Sequence, residues 1–187
     1  MTTGPQLREQ LLSPQMRFYF DQKLASLPRD EIEVRIEEVL KYLNMVTHCT
    51  GDIPISKEID DVWHYWILET AEYARLCEKL HGGVFLHHTS NDYAAYFDPD
   101  AKNRRIDLTL GISILSSYVL NYGPFEPGRV KYWPLAAQLM ERLDRDLDQL
   151  NDWLGSVLSS AEPEVDNDSV PLPTRRPDEP LRPLWTA

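Results

Sequence analysis

The stretch ISKEIDDVWHYWILET, residues 55–70, decides the fold because it predicts the start of a long central helix. Ser56 is a favoured N-cap, and acidic side chains follow it in the first turns, where the helix dipole favours negative charge. Apolar side chains then recur at the helical period and define one buried face. Gly82 and Gly83 suit a left-handed C-cap, so we predict one helix from Ser56 to His81.

The rest of residues 1–160 shows the same organisation, with proline and glycine separating amphipathic segments. Strand alternation is nowhere convincing, whereas apolar residues repeat at spacings of three and four. We therefore predict an all-α fold, a single helical bundle of about five helices. The other four helices are predicted from Pro14 to just before Pro28, from Pro28 to Val46, from Asp107 to Tyr122 and from Pro134 to Val157.

Two segments lack helical periodicity. Residues 84–105 contain several Asn, Asp and Pro residues and predict a long loop, and loops of this length are often functional. Residues 161–187 hold six of the fourteen prolines and many acidic residues, a composition that predicts an extended tail. We therefore divide the chain into a helical domain, 1–160, and a proline-rich tail, 161–187.

The charge balance excludes two classes of partner. The 187 residues carry a formal net charge of -11, and most of this excess lies in residues 1–160. Nucleic-acid binding and docking on anionic lipid both need a basic face, so neither is expected.

The lack of a recognisable targeting signal and the low number of cysteines both favour a cytoplasmic location. Residues 1–12 lack the cationic and apolar parts of a signal peptide, and no run of 18 apolar residues occurs. Cys49 and Cys77 are too few for a disulfide framework and are expected as reduced core thiols. We predict a cytoplasmic protein.

A carboxylate and a histidine are suitably spaced on the central helix to bind a metal. Asp61 and His64 lie three residues apart, so both side chains can face one point. This spacing supplies ligands in the iron sites of helical bundles. Glu78 and His81 repeat the pattern, but about 25 Å further along the axis. A di-iron centre built from both pairs is therefore excluded.

Two later histidines are better partners for His64. The residues from Gly82 to His87 span about 20 Å when extended, enough for the chain to return along the helix. Asp61, His64 and either His87 or His88 would then form a two-histidine, one-carboxylate set with open positions. Such sets bind non-haem Fe(II) and some catalytic zinc ions. The sequence therefore predicts a divalent metal, Fe or Zn, bound by residues of this group.

The same residues also have a purely structural interpretation. His64 can be held by Asp60 or Asp61 on its own helix, with His87 and His88 packed at the edge of the loop. Spacing alone leaves both interpretations open.

Residues of this region match a known sequence pattern in order: Asp61, Val62, Trp63, His64, Ile67, Leu68, Thr70, Tyr73, Cys77, Leu86, His87 and His88. The stretch from Pro54 to His88 thereby resembles the conserved block of the glycine-rich domain-containing protein-like family of plants and bacteria. The resemblance covers roughly a fifth of the chain and implies a shared histidine-rich feature. The glycine-rich part is absent, and Trp66 replaces the second histidine of the pattern. The site implied by the resemblance is therefore altered here.

Two functions of different classes follow. The first is a small cytoplasmic helical metalloprotein, which leaves open a metal-dependent enzyme with an unknown small-molecule substrate. The second is a non-catalytic helical module that contacts a protein partner through its acidic surface or proline-rich tail. The chain contains no nucleophile elbow, phosphate loop or dinucleotide fingerprint.

Overall fold

The computed structural model describes residues 1–51, 53–89, 96–97 and 108–160. In these residues the protein is helical and contains no strand, which confirms the all-α prediction. The tail and most of the predicted loop lie outside the described residues. Within the described ranges the chain forms eight α-helices of at least eight residues: α1 Gly4–Leu11, α2 Pro14–Lys23, α3 Arg29–Val46, α4 Lys57–Leu68, α5 Thr70–Lys79, α6 Leu108–Tyr122, α7 Pro134–Leu143 and α8 Leu147–Ser160.

The first two helices begin at capping residues. Thr3 and Gln6 form a reciprocal capping box at α1, in which each side chain accepts from the other's backbone N–H. Ser13 caps α2 by accepting from the N–H of Met16 at 3.1 Å, with Pro14 in the first turn. The start of α2 was predicted from Ser13 and Pro14, whereas α1 was not predicted.

Helix α3, rather than the segment after Ser56, lies at the centre of the bundle. It contacts α1, α2, α4 and α6. Its apolar side chains recur every three or four residues and are almost wholly buried, because neighbouring helices cover them on several sides. The buried apolar residues of α3 are Ile32, Ile36, Val39, Leu40, Tyr42, Leu43 and Met45.

The predicted helix from Ser56 to His81 is in fact two helices. Glu69 has φ -93° and ψ 68°, which ends α4 and begins α5. In one straight helix Trp63 and Tyr73 would lie about 15 Å apart along the axis. Here the Nε1–H of Trp63 donates to the hydroxyl of Tyr73 at 3.0 Å. The bend is therefore required by a tertiary contact, and no proline or glycine marks it locally.

The predicted helix from Pro134 to Val157 is also two helices. Asp144 follows α7 in the left-handed conformation, with φ 49° and ψ 52°. Asp and Asn adopt this conformation more readily than most residues, because their short polar side chains can form local hydrogen bonds. Leu139 on α7 and Leu154 on α8 both enter the core, so the interruption leaves the predicted apolar face largely intact.

A buried glutamate joins distant parts of the bundle. Glu38 on α3 is fully buried, and its carboxylate accepts hydrogen bonds from Lys41 at 2.8 Å, Arg129 at 2.9 Å and the indole of Trp133 at 2.8 Å. The hydroxyl of Tyr118 on α6 donates to it at 3.2 Å. We call these five residues the Glu38 hub. Because its carboxylate has two cationic partners and two neutral donors, its burial is fully compensated.

Candidate metal centre

Helix α4 presents Asp60 and His64 on one face, four residues apart. Nδ1 of His64 lies 2.7 Å from the backbone carbonyl of Asp60 and 3.3 Å from the carboxylate oxygen Oδ2 of that residue. A carbonyl oxygen can only accept, so the proton of the neutral imidazole is on Nδ1 and the lone pair is on Nε2. Histidines that bind metals commonly donate their second ring N–H to a carbonyl in this way.

His88 reaches the same point from the segment after α5. Gly82 and Gly83 have φ values of 80° and 60°, in the left-handed region that favours glycine, and reverse the chain direction. We call residues 84–89 the return segment. Nε2 of His88 lies 3.3 Å from Oδ1 of Asp60, and the rings of His64 and His88 are 4.4 Å apart between centroids.

The three side chains together form one cluster of donor atoms, which we call the Asp60 cluster. One ligand atom from each of Asp60, His64 and His88 lies within 4.8 Å of the other two. Two ligands of a tetrahedral zinc with bonds of about 2.0–2.1 Å are separated by about 3.3 Å. The distance between the Asp60 carboxylate and Nε2 of His88 is 3.3 Å, so this pair already has the spacing of two ligands.

The cluster is open to solvent on one side. The side chains of His64 and Asp60 are 48% and 36% exposed, whereas that of His88 is 18% exposed. His88 is partly covered by the indole of Trp63, whose ring centroid is 4.5 Å away. An ion bound here would keep positions accessible to water or to a small molecule.

The structure brings together only some of the residues that the sequence suggested as ligands. His64 and His88 meet, but Asp61 forms an exposed ion pair with Lys57 at 2.6 Å. His87 is exposed and packs against Phe85, with ring centroids 5.1 Å apart.

Asp60, and not the predicted Asp61, is the carboxylate that lies beside His64 and His88. Residues three and four positions before a histidine both lie on its helix face, so spacing does not choose between them. The signal that could have decided is Lys57, which lies four residues before Asp61 and forms a pair with it. From the sequence, Asp60 is expected only as a structural partner of His64.

The remaining histidines and cysteines lie outside the Asp60 cluster. His81 packs edge-on against His48, with centroids 6.2 Å apart, and Cys77 is buried. Both thiols are free, but Cys49 is half-buried at the edge of the core instead of within it. His48 and Cys49 border an open cavity of about 200 Å³ together with Thr50, Leu110, Ser113, Ile114 and Ser117.

The described part of the chain is all-α, and two histidines and an aspartate meet beside helix α4. The chain matches no family model, no curated protein and no solved structure. Among the helices of the described residues, none combines the length and apolar character needed to cross a membrane.

Proposed function

We propose that this chain is a small helical metalloprotein that binds one divalent cation, Fe(II) or Zn(II), through Asp60, His64 and His88. The observation that carries the proposal is the convergence of one ligand atom from each residue within 4.8 Å. Two of these residues lie on α4 and the third lies on the return segment, so the cluster depends on the tertiary fold.

The ligand types favour these metals. Two neutral imidazoles and one carboxylate suit zinc and non-haem iron, whereas calcium and magnesium prefer oxygen ligands throughout. Asp60 contributes one negative charge, so a bound dication would retain net positive charge and attract an anionic or polar ligand. Such an ion polarises a bound carbonyl or lowers the pKa of a bound water.

The contact between His88 and Asp60 is longer than a charge-assisted hydrogen bond. A charged imidazolium donating to a carboxylate is typically about 2.7–2.9 Å from it. Nε2 of His88 lies 3.3 Å from Oδ1 of Asp60, which matches the separation of about 3.3 Å between two ligands of a tetrahedral zinc. Nδ1 of His64 donates to the carbonyl of Asp60, so Nε2 is the nitrogen of His64 that would bind the ion.

Metal analysis of protein purified without a histidine tag tests the proposal. The natural chain should contain close to one equivalent of Fe or Zn after expression in medium supplied with both metals. His64→Ala should remove this metal, and the matched control His87→Ala should retain it because His87 packs on Phe85. Substoichiometric metal in the natural chain, unchanged by His64→Ala, would reject the proposal.

The alternative is a non-catalytic helical module that binds a protein partner through its acidic surface or tail. It rests on the net charge of -11 and on the composition of residues 161–187. A pull-down with and without residues 161–187 tests this alternative. Loss of a captured partner on deletion of the tail would support it, and retained binding would show that the tail is not the binding segment. The cytoplasmic location and the resemblance to the glycine-rich domain-containing protein-like family stay predictions.

A further inference from the structure

One buried phenol holds the return segment against the helices. The hydroxyl of Tyr73 on α5 donates to the backbone carbonyl of Leu86 at 2.7 Å and accepts from the indole Nε1–H of Trp63 at 3.0 Å. All three residues are less than 10% exposed. Water cannot readily replace these hydrogen bonds, so the phenol is the principal polar anchor for the carbonyl of Leu86.

The direction of this hydrogen-bond chain is fixed by chemistry. An indole can only donate and a carbonyl can only accept, so the single proton of the Tyr73 hydroxyl points to Leu86. Burial raises the pKa of Tyr73 well above its ordinary value, which keeps that proton in place at neutral and alkaline pH. We call Trp63, Tyr73 and the carbonyl of Leu86 the phenol relay.

The phenol relay ends two residues before His88. In an extended segment residues i and i+2 point to the same side, so fixing Leu86 also sets the direction of His88. Leu86 is buried and His88 is partly covered, whereas His87 between them is exposed, as this alternation requires. The indole of Trp63 belongs to the relay and also contacts the ring of His88, with centroids 4.5 Å apart.

The bend at Glu69 makes the relay possible. It brings Tyr73 on α5 within 3.0 Å of Trp63 on α4, which a straight helix cannot do. The bend and the relay together place a histidine from the return segment beside two ligands of α4.

We infer that Tyr73 is a positioning residue for the metal centre: it orients His88 toward Asp60 and His64 through the carbonyl of Leu86. This inference rests on the proposed function, because it assigns Tyr73 a role at that site. Tyr73 is not one of the three proposed ligands. Its loss should weaken metal binding while leaving all three ligands in the chain, as loss of an outer-shell hydrogen bond does in known metal sites.

The test compares phenylalanine substitutions at two tyrosines, the buried Tyr73 and the half-buried Tyr122. Tyr73→Phe removes only the hydroxyl of the relay. Tyr122→Phe is the control, because its hydroxyl accepts from Asn44 at 2.9 Å and contacts none of the cluster. Zn²⁺ affinity is measured by competition with a chelating dye, and urea unfolding of the metal-free proteins gives their stability. Tyr73→Phe should weaken Zn²⁺ binding about 10–100-fold, and Tyr122→Phe should leave it nearly unchanged.

A second readout separates positioning from stability. In metal-free protein the ring protons of His88 should be shifted by the nearby indole of Trp63 in the proton NMR spectrum. Tyr73→Phe should move these signals toward the values of an unstructured histidine, while Tyr122→Phe should not. Unchanged signals, unchanged Zn²⁺ affinity in Tyr73→Phe, or an equal loss in Tyr122→Phe would overturn the inference.

The two proposals fail in different ways. If the natural chain binds no Zn²⁺, the proposed function fails, and Tyr73 has no metal to serve. If the natural chain binds Zn²⁺ and Tyr73→Phe binds it equally well, the proposed function stands and the positioning role fails.

Discussion

The Glu38 hub and the Asp60 cluster both gather charged side chains, but they differ in burial and in the supply of cations. In the hub, Glu38 is fully buried, and the amino and guanidinium groups of Lys41 and Arg129 lie within 3 Å of its carboxylate. In the cluster, Asp60 is about one-third exposed, and two imidazoles face its carboxylate at 3.3 Å.

This difference separates the structural role of the hub from the metal-binding role proposed for the cluster. A buried carboxylate with two permanent cations and two neutral donors has no unused acceptor capacity and contributes to the uniqueness of the fold. A partly exposed carboxylate beside two imidazoles presents several lone pairs and, among the described residues, has no cation within hydrogen-bonding distance other than a protonated imidazole. The proposed divalent metal would supply positive charge there, so the comparison predicts stability effects at the hub and metal effects at the cluster.

The largest effect on stability is expected for Glu38→Gln. The substitution keeps the side-chain volume but leaves the buried Lys41 without its anion, while Arg129 keeps the buried carboxylate of Glu37 at 2.7 Å. The free energy of unfolding should fall by about 3–5 kcal/mol in urea titrations of metal-free protein. Zn²⁺ affinity should change little in the fraction that remains folded.

Glu126→Gln is the matched control for the hub. Glu126 pairs with the same Arg129 at 2.8 Å, but its side chain is 68% exposed. Exposed ion pairs contribute at most about 1 kcal/mol. If Glu38→Gln were no more destabilising than Glu126→Gln, the structural role of the hub would be rejected.

A smaller effect on stability is expected from metal itself. Zn²⁺ at about 100 times its dissociation constant should stabilise the natural chain by about 2.7 kcal/mol, because it binds the folded state. His88→Ala should abolish this gain and His87→Ala should retain it, as measured by urea unfolding with Zn²⁺ and with a chelator. Equal stabilisation of both variants would show that the ion binds elsewhere.

The smallest effect concerns acid stability. Glu33 accepts a hydrogen bond from Arg17 at 2.7 Å, and this bond holds the pKa of Glu33 below its ordinary value of 4.5. A carboxyl with a lowered folded-state pKa stabilises the protein above its unfolded-state pKa, and this contribution is lost as pH falls through the folded-state pKa.

Glu33→Gln therefore should cost on the order of 1 kcal/mol at pH 7 and progressively less below about pH 4.5. Urea unfolding of the two metal-free proteins across this range measures the difference. A constant difference between pH 7 and pH 3 would contradict the assignment of the lowered pKa to Glu33.

The sequence predicted the helical class but not all of the helix breaks. Ser13 and Pro14 marked the start of α2 because a cap and a first-turn proline act locally. The break at Glu69 carries no such residue, since it depends on Trp63 and Tyr73 meeting across two helices. Tertiary contacts of this kind are not encoded in short-range periodicity.

The geometry of the Asp60 cluster was predictable in part. The sequence allowed His64 and His88 to meet, because helix spacing and the reach of an extended chain depend only on residue numbers, and the two rings do meet. Their role as metal ligands stays a prediction. The choice of Asp60 over Asp61 depends on the side-chain pair between Asp61 and Lys57.

The Glu38 hub gave no signal in the sequence. Glutamate is seldom buried, so its position on the apolar face of α3 was not expected. Its partner Arg129 lies 91 residues away along the chain.

The most direct test of the account is a Zn²⁺ titration of two neighbouring variants, Asp60→Asn and Asp61→Asn, by isothermal calorimetry of tag-free protein. The two substitutions remove the same charge from adjacent positions, so general electrostatic effects are matched. The account predicts one ion per chain for Asp61→Asn with an affinity close to that of the natural chain, and binding about 100-fold weaker or lost for Asp60→Asn. Full binding by Asp60→Asn, or loss in Asp61→Asn alone, would contradict it.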